Sequence, residues 1–161
     1  MAEYALGLRV AVSGAGGQTG GHVFRKLLAL PDVDAVGWTR SAASKEALLE
    51  SVGKDAEVCV VDVTDAASCE EATVGIDALV VCTSAKPAPT GETSAEGKPV
   101  MGFPDGMPEA VDWLGQKNQI DACKARGAHV VICSSMGGTD PANMLNALGR
   151  CAYLRASLGL A

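Results

Sequence analysis

The sequence predicts an α/β fold, a doubly wound parallel sheet with strand order 3-2-1-4-5. Three observations carry that prediction. Short apolar runs rich in β-branched residues alternate with segments of helical spacing along the chain. The runs are apolar on consecutive positions, as in strands buried on both faces, and their alternation with helices implies right-handed βαβ crossovers. A glycine-rich stretch follows the first run directly, where a strand would turn into a helix.

Taken in order, the strands are expected at Leu8–Ser13, Ala35–Trp38, Val58–Val61, Ala78–Cys82 and His129–Cys133. Helical spacing links Val23, Leu27, Leu28 and Leu30, then Ala47, Leu48 and Val52, then Val111, Leu114, Ile120 and Cys123. The exception is Thr83–Pro108. This stretch holds Pro87, Pro89, Pro99, Pro104 and Pro108 with Gly91, Gly97, Gly102 and Gly106, and reads as a long loop. It leaves the carboxyl end of the fourth strand, where open α/β sheets bind ligands, so an active-site lid and a mobile linker both fit. The residues from Arg150 onward have weak helical character.

Bulk properties narrow the partners. At 161 residues, 48% of them hydrophobic, the chain fits one domain with a real core. Its net charge of -6 argues against nucleic acid or an anionic membrane, which need clustered cations. The six cysteines (Cys59, Cys69, Cys82, Cys123, Cys133 and Cys151) form no CxxC or Cys/His pairing, so no zinc site or disulfide framework is expected. They read as reduced thiols in a cytosol-like compartment. Met1–Leu8 has the character of neither a signal peptide nor a membrane span; a plastid location would require a presequence preceding this chain.

The motif with the most chemistry is the turn Gly14-Ala15-Gly16-Gly17-Gln18-Thr19-Gly20, a GxxGxxG pattern after the first strand. Glycine serves a tight turn at Gly14, close approach of backbone to a pyrophosphate at Gly17, and helix-to-strand packing at Gly20. The amides around Gly16, Gln18 and Thr19, at the start of the helix, would then donate to the anion. This is the pattern of a dinucleotide-binding Rossmann unit. About 20 residues further on, such a unit places the residue that meets the adenosine ribose. The second strand ends Thr39-Arg40-Ser41, with no Asp or Glu to accept from a free 2'-hydroxyl. Arg40, with Ser41 and Lys45, suits a 2'-phosphate, so NADP(H) is expected over NAD(H). Alternatively, Arg40 is an ordinary solvated charge.

With these residues, three further segments resemble the plant-type NAD(P)H-binding proteins of the atypical short-chain dehydrogenase/reductase family. They are Asp77–Ala85 (DALVVCTSA), Val111–Ala122 (VDWLGQKNQIDA) and Val131–Thr139 (VICSSMGGT). The resemblance covers 8–149 as a Rossmann domain and leaves 150–161 as a divergent tail. It implies that the Asp62 carboxylate and the Val63 backbone meet the adenine ring, though Asp62 suits the N-cap region of the next helix as well. It implies that Thr83 and Ser84 line the ribose and nicotinamide side. Ser135, or Ser134, would hydrogen-bond a substrate carbonyl, and a plain turn hydroxyl is the alternative for either. Asp112 stands where many related reductases have Asn, and Lys117 and Asn118 face either the site or solvent. His22, His129, Trp38 and Trp113 are assigned to structure and packing, with Trp38 near the adenosine end.

The chain departs from the family in its last part. Reductases of this kind use Tyr-x-x-x-Lys after the fifth strand, whereas Tyr153 is followed four residues on by Ser157 and no lysine follows Lys124. The family's substrate-binding half is expected to be missing, leaving apolar surface that favours marginal stability or self-association. Two functions follow from the resemblance: an NADP(H)-dependent oxidoreductase acting on a small carbonyl or enone, or a non-catalytic NADP(H)-binding sensor.

Overall fold

The computed structural model describes residues 7–132. Within them, residues 7–83 with 115–132 form one unit, and residues 84–114 form a second.

The first unit is a five-stranded parallel sheet flanked by four helices. In chain order it contains β1 (Leu8–Ser13), α1 (Gln18–Leu28), β2 (Val33–Thr39), α2 (Ala42–Val52), β3 (Glu57–Val60), α3 (Ala66–Ala72) and β4 (Ala78–Val81). After the second unit, which contributes the strands β5 and β6, come α4 (Gln116–Arg126) and β7 (His129–Ile132). The strand order is β3-β2-β1-β4-β7, all parallel, so the expected order holds with β7 as the sheet's fifth strand.

Alternation along β1 divides the core into two layers. Val12 packs with Ala15, Phe24, Ala35, Leu48 and Val58 beneath α1 and α2. Ala11 points the other way, to Val36, Trp38, Val61, Leu79, Val81 and Cys123 on the α4 side. The sheet is therefore covered on both faces, which is why its strands read as unbroken apolar runs. At the opposite end from the glycine turn, Arg9 ties β1 to β2 and, across it, to β3 through ion pairs with Asp34 and Glu57.

Several expectations need correction. The third crossover contains α3, which the apolar spacing did not indicate, because AASCEEA buries only Cys69. Its cap is Asp65, whose carboxylate accepts from the Ala67 amide at 3.1 Å, so Asp62 is not the N-cap. Leu30 lies beyond α1 and is exposed. Trp38 is buried as expected, whereas Trp113 is 41% exposed and is not a core residue.

The second unit overturns the reading of Thr83–Pro108 as a structureless loop. It holds an antiparallel hairpin of β5 (Ala88–Thr93) and β6 (Pro99–Gly102). The residues that read as loop signals are the hairpin's punctuation. Pro99 opens its strand, where a missing N–H is tolerated. Gly91 and Gly97 take positive φ, the first within the irregular stretch of β5 and the second in the turn, where its amide donates to the Ser94 carbonyl. The expected helix after the hairpin begins as a π-helical stretch, Glu109–Gly115, before α4.

Candidate functional site

The glycine turn owes its shape to two positions. Gly14 has φ +70, and a Cβ there would lie 2.8 Å from the Cys82 carbonyl oxygen of the neighbouring strand end. A Cβ on Gly20 would lie 2.6 Å from the Gly14 carbonyl carbon and closer still to its oxygen. The first turn of α1 is thus pressed onto the end of β1 without side chains between them. Gly17 takes the N-cap position with no side-chain cap, and its amide donates to the Gly14 carbonyl at 2.9 Å. The amides of Gln18, Thr19 and Gly20 have no helical carbonyl to reach, as at any helix start. Gly16, Gly17, Gln18 and Thr19 are exposed there. A glycine cradle closed to side chains, with uncommitted donors at a helix N-terminus, fits the phosphates of a dinucleotide.

Beside this turn, a cleft of about 210 Å³ runs between α1 and α2, lined by residues including Gly16, Gly17, Gly21, Arg25, Ser44 and Ser51. Arg25 and Ser44 were not singled out from the sequence. The signal was available, since Arg25 stands four residues after Gly21 and so faces the same side of α1.

The strand register places the other candidates along the same carboxyl edge. Ser13 pairs with Trp38 and Val81, and Thr39 with Val60, so Gly14, Arg40, Asp62 and Thr83 all follow strand ends that lie side by side. Arg40 is exposed, between Thr39 and Ser41, whose hydroxyl caps α2 by accepting from the Ser44 amide at 3.2 Å. Asp62 is exposed, and its Oδ1 accepts from the Thr64 amide at 2.9 Å and from the Thr64 hydroxyl at 2.7 Å. The Val63 carbonyl accepts from Asn118 Nδ2 at 3.1 Å, which turns Asn118 inward and fixes the loop after β3. Lys117 instead pairs with Asp121 on the solvent side. Ser134 and Ser135 lie outside the described residues.

Thr83 is held by a residue the sequence reading passed over. Gln119 is fully buried, and its Nε2 donates to Thr83 Oγ1 at 3.2 Å and to the Gly115 carbonyl at 2.9 Å. Because the carbonyl can only accept, this contact identifies the nitrogen end of the amide. The Thr83 oxygen is engaged as an acceptor, which leaves its own hydrogen to donate elsewhere.

Within the second unit, Ser84 and Ala85 close on Asp112 of the π-helical stretch. The Ala85 amide donates to Asp112 Oδ1 at 3.0 Å, and the Ser84 hydroxyl bonds the same carboxylate. Burial raises the Asp112 carboxyl above the usual carboxylate range, outweighing the two hydrogen bonds that pull it down. The folded state therefore binds this proton more tightly than the unfolded chain. The stability the proton gives is fully present below the ordinary aspartate value of about 3.9 and is lost as pH rises through the raised value. Asp112→Asn keeps an acceptor for Ala85 and carries no charge. At low pH its stability should match the parent within ~1 kcal/mol. The variant should then gain on the parent as pH rises toward neutrality, as thermal melts across that range would show. A gap that stayed constant with pH would refute the assignment.

Among the described residues, no group of three His, Cys, Asp or Glu side chains is placed to hold a metal ion. Burial pushes the Cys69 thiol up to about 11, and raises those of Cys59 and Cys123. None of the three suits a thiolate nucleophile. No helix among the described residues is long and apolar enough to cross a membrane.

Known proteins resemble this chain. An uncharacterized chloroplastic protein of Arabidopsis thaliana is 45% identical over 152 residues, spanning 91% of this chain and 46% of that protein. Sanguinarine reductase of Eschscholzia californica is 41% identical over 171 residues, spanning 92% and 61%. The chain thus spans less than two thirds of the length of either relative. The solved structure of a short-chain dehydrogenase from Streptomyces avermitilis has the same fold, with a TM-score of 0.61 at 22% identity over 100% of this chain and 61% of that one. The model of the NAD(P)H-binding family matches residues 14–157, from the first glycine of the turn onward, and this chain belongs to that family of Rossmann-type proteins.

Proposed function

We propose that this chain carries the NADP(H) site of an oxidoreductase acting on a small carbonyl or enone. The observation that carries the reading is the end of β2, where Arg40 and Ser41 stand beside the glycine turn and no acid is present to accept from a free ribose hydroxyl. A bound reduced nicotinamide would supply the hydride. The protein's part is to hold and orient. The amides at Gly16–Gly20 take the pyrophosphate, and Arg40 neutralises the 2'-phosphate. Asp62 and the Val63 backbone meet the adenine. Thr83, with its hydroxyl set as a donor by Gln119, and Ser84 line the ribose and nicotinamide side. Ser135 holds the substrate carbonyl. The name of the Eschscholzia relative, a reductase, supports the reaction class.

A second reading, a non-catalytic NADP(H) sensor, is favoured by Tyr153 and Ser157 standing where a Tyr/Lys pair would be needed. NADPH consumption across carbonyl and enone substrates separates the two. Under the first reading, Ser135→Ala lowers turnover roughly 100-fold or more without weakening NADPH binding. Intact turnover in that variant removes Ser135 from the mechanism, and tight NADPH binding with no turnover favours the sensor.

The chloroplastic name of the Arabidopsis relative supports a plastid location, with the cytosol as the alternative. Self-association through β7 is supported by Val131 and Ile132, 54% and 41% exposed. Sedimentation at rising concentration reads it directly.

A further inference from the structure

Among the described residues, three buried side-chain polar atoms, all of the first unit, make no hydrogen bond to protein: Ser13 Oγ, Trp38 Nε1 and Gln119 Oε1. Their residues are 0%, 1% and 0% exposed. Such groups are rare in native interiors, and three in one region call for a common cause.

Strand register and helix periodicity set them on one face of the sheet. Ser13 and Trp38 are register partners on adjacent parallel strands, and Ser13 also pairs with Val81. Ser13 lies two residues after Ala11, so both point to the same face, the one on which Trp38, Val81 and Cys123 pack together. Gln119 stands four residues before Cys123 on α4, on the same side of that helix. Its nitrogen is fixed on Thr83, two residues beyond Val81 along the same strand direction. The oxygen of that amide is therefore held beside Thr83, past the carboxyl end of β4.

We infer that these three atoms form a built site for one ordered water, buried directly behind the glycine turn. Their chemistry is complementary. Trp38 Nε1 can only donate, Gln119 Oε1 can only accept, and the Ser13 hydroxyl does either. One water accepts from the indole, donates to the amide and closes on the serine, which is the usual number of partners for a buried water. The same water fixes the remaining corner of the Gln119 amide, whose other end sets the Thr83 hydroxyl. An apolar occupant would leave all three groups unsatisfied.

The test uses the full chain with Trp113→Phe, which makes Trp38 the sole indole. Proton NMR reads whether the indole N–H shows a cross-relaxation peak to a long-lived water, and ultraviolet resonance Raman reads whether that N–H is hydrogen-bonded. The expected result is a water peak and a bonded indole, with both signatures lost in Gln119→Leu. Ser13→Ala, a smaller change in the strand, should weaken the water peak while the fold, read by amide dispersion, is retained. An unbonded indole with no water peak overturns the inference. So does a water peak that survives both substitutions, because that water would be held by other groups.

Discussion

Gly20→Ala is expected to destabilise the chain by at least ~3 kcal/mol and to abolish dinucleotide binding. Two effects oppose each other at this position. Gly20 lies in the first turn of α1, where alanine is the better helix former by up to ~1 kcal/mol. The added Cβ, however, would stand 2.6 Å from the backbone carbon of Gly14, and backbone cannot move aside as a side-chain end can. Relief requires α1 to lift off the end of β1, which separates the amides that would meet the phosphates. Sterics should win, lowering the melting temperature by roughly 10 °C or more. Gly75→Ala is the control. Unlike Gly20 it sits at positive φ, and its Cβ meets nothing within 4 Å, so only the ~1 kcal/mol backbone penalty applies. If Gly20→Ala melted at or above the parent temperature, the close approach of helix and turn would be wrong.

Arg40→Ala should weaken NADPH binding roughly 10- to 100-fold and leave NADH unchanged, the range expected for charge-assisted hydrogen bonds to a phosphate. Titration of both dinucleotides, followed by energy transfer from the tryptophans, gives the ratio. Raising the salt concentration should narrow the gap in the parent protein more than in the variant, because the interaction is exposed and screened. Equal weakening for the two dinucleotides would mean that Arg40 supports the loop and does not read the 2'-phosphate.

Much of this was legible in the sequence because burial on both faces leaves a plain mark. All five sheet strands were read within a few residues, and the glycine turn was recognised from its place after β1. Arg40, Asp62 and Thr83 could be placed on one edge because a parallel sheet aligns its strand ends. The misses have equally local causes. Short α3 buries a single cysteine, so it had no apolar stripe to show. The hairpin is built from prolines and glycines that mark a strand boundary and a loop alike. Gln119 looked like one polar residue in a polar helix of mean hydrophilic character. Only the structure shows that its two hydrogens are shared between Thr83 and Gly115, which are far apart in the chain.

That shared amide has a consequence for how the protein can be altered. Thr83 is where the chain leaves the first unit and Gly115 is where it returns, and one nitrogen holds both points. Residues 84–114 are therefore a cassette plugged between two fixed terminals. Lengthening or exchanging such an insert carries an entropic penalty that grows only with the logarithm of its length. Its hairpin and Asp112 can be traded for another protein's segment while the sheet and the glycine turn are inherited unchanged. Recombination at those two junctions, and not substitution within the sheet, is the economical route by which the insert of such a scaffold would be exchanged.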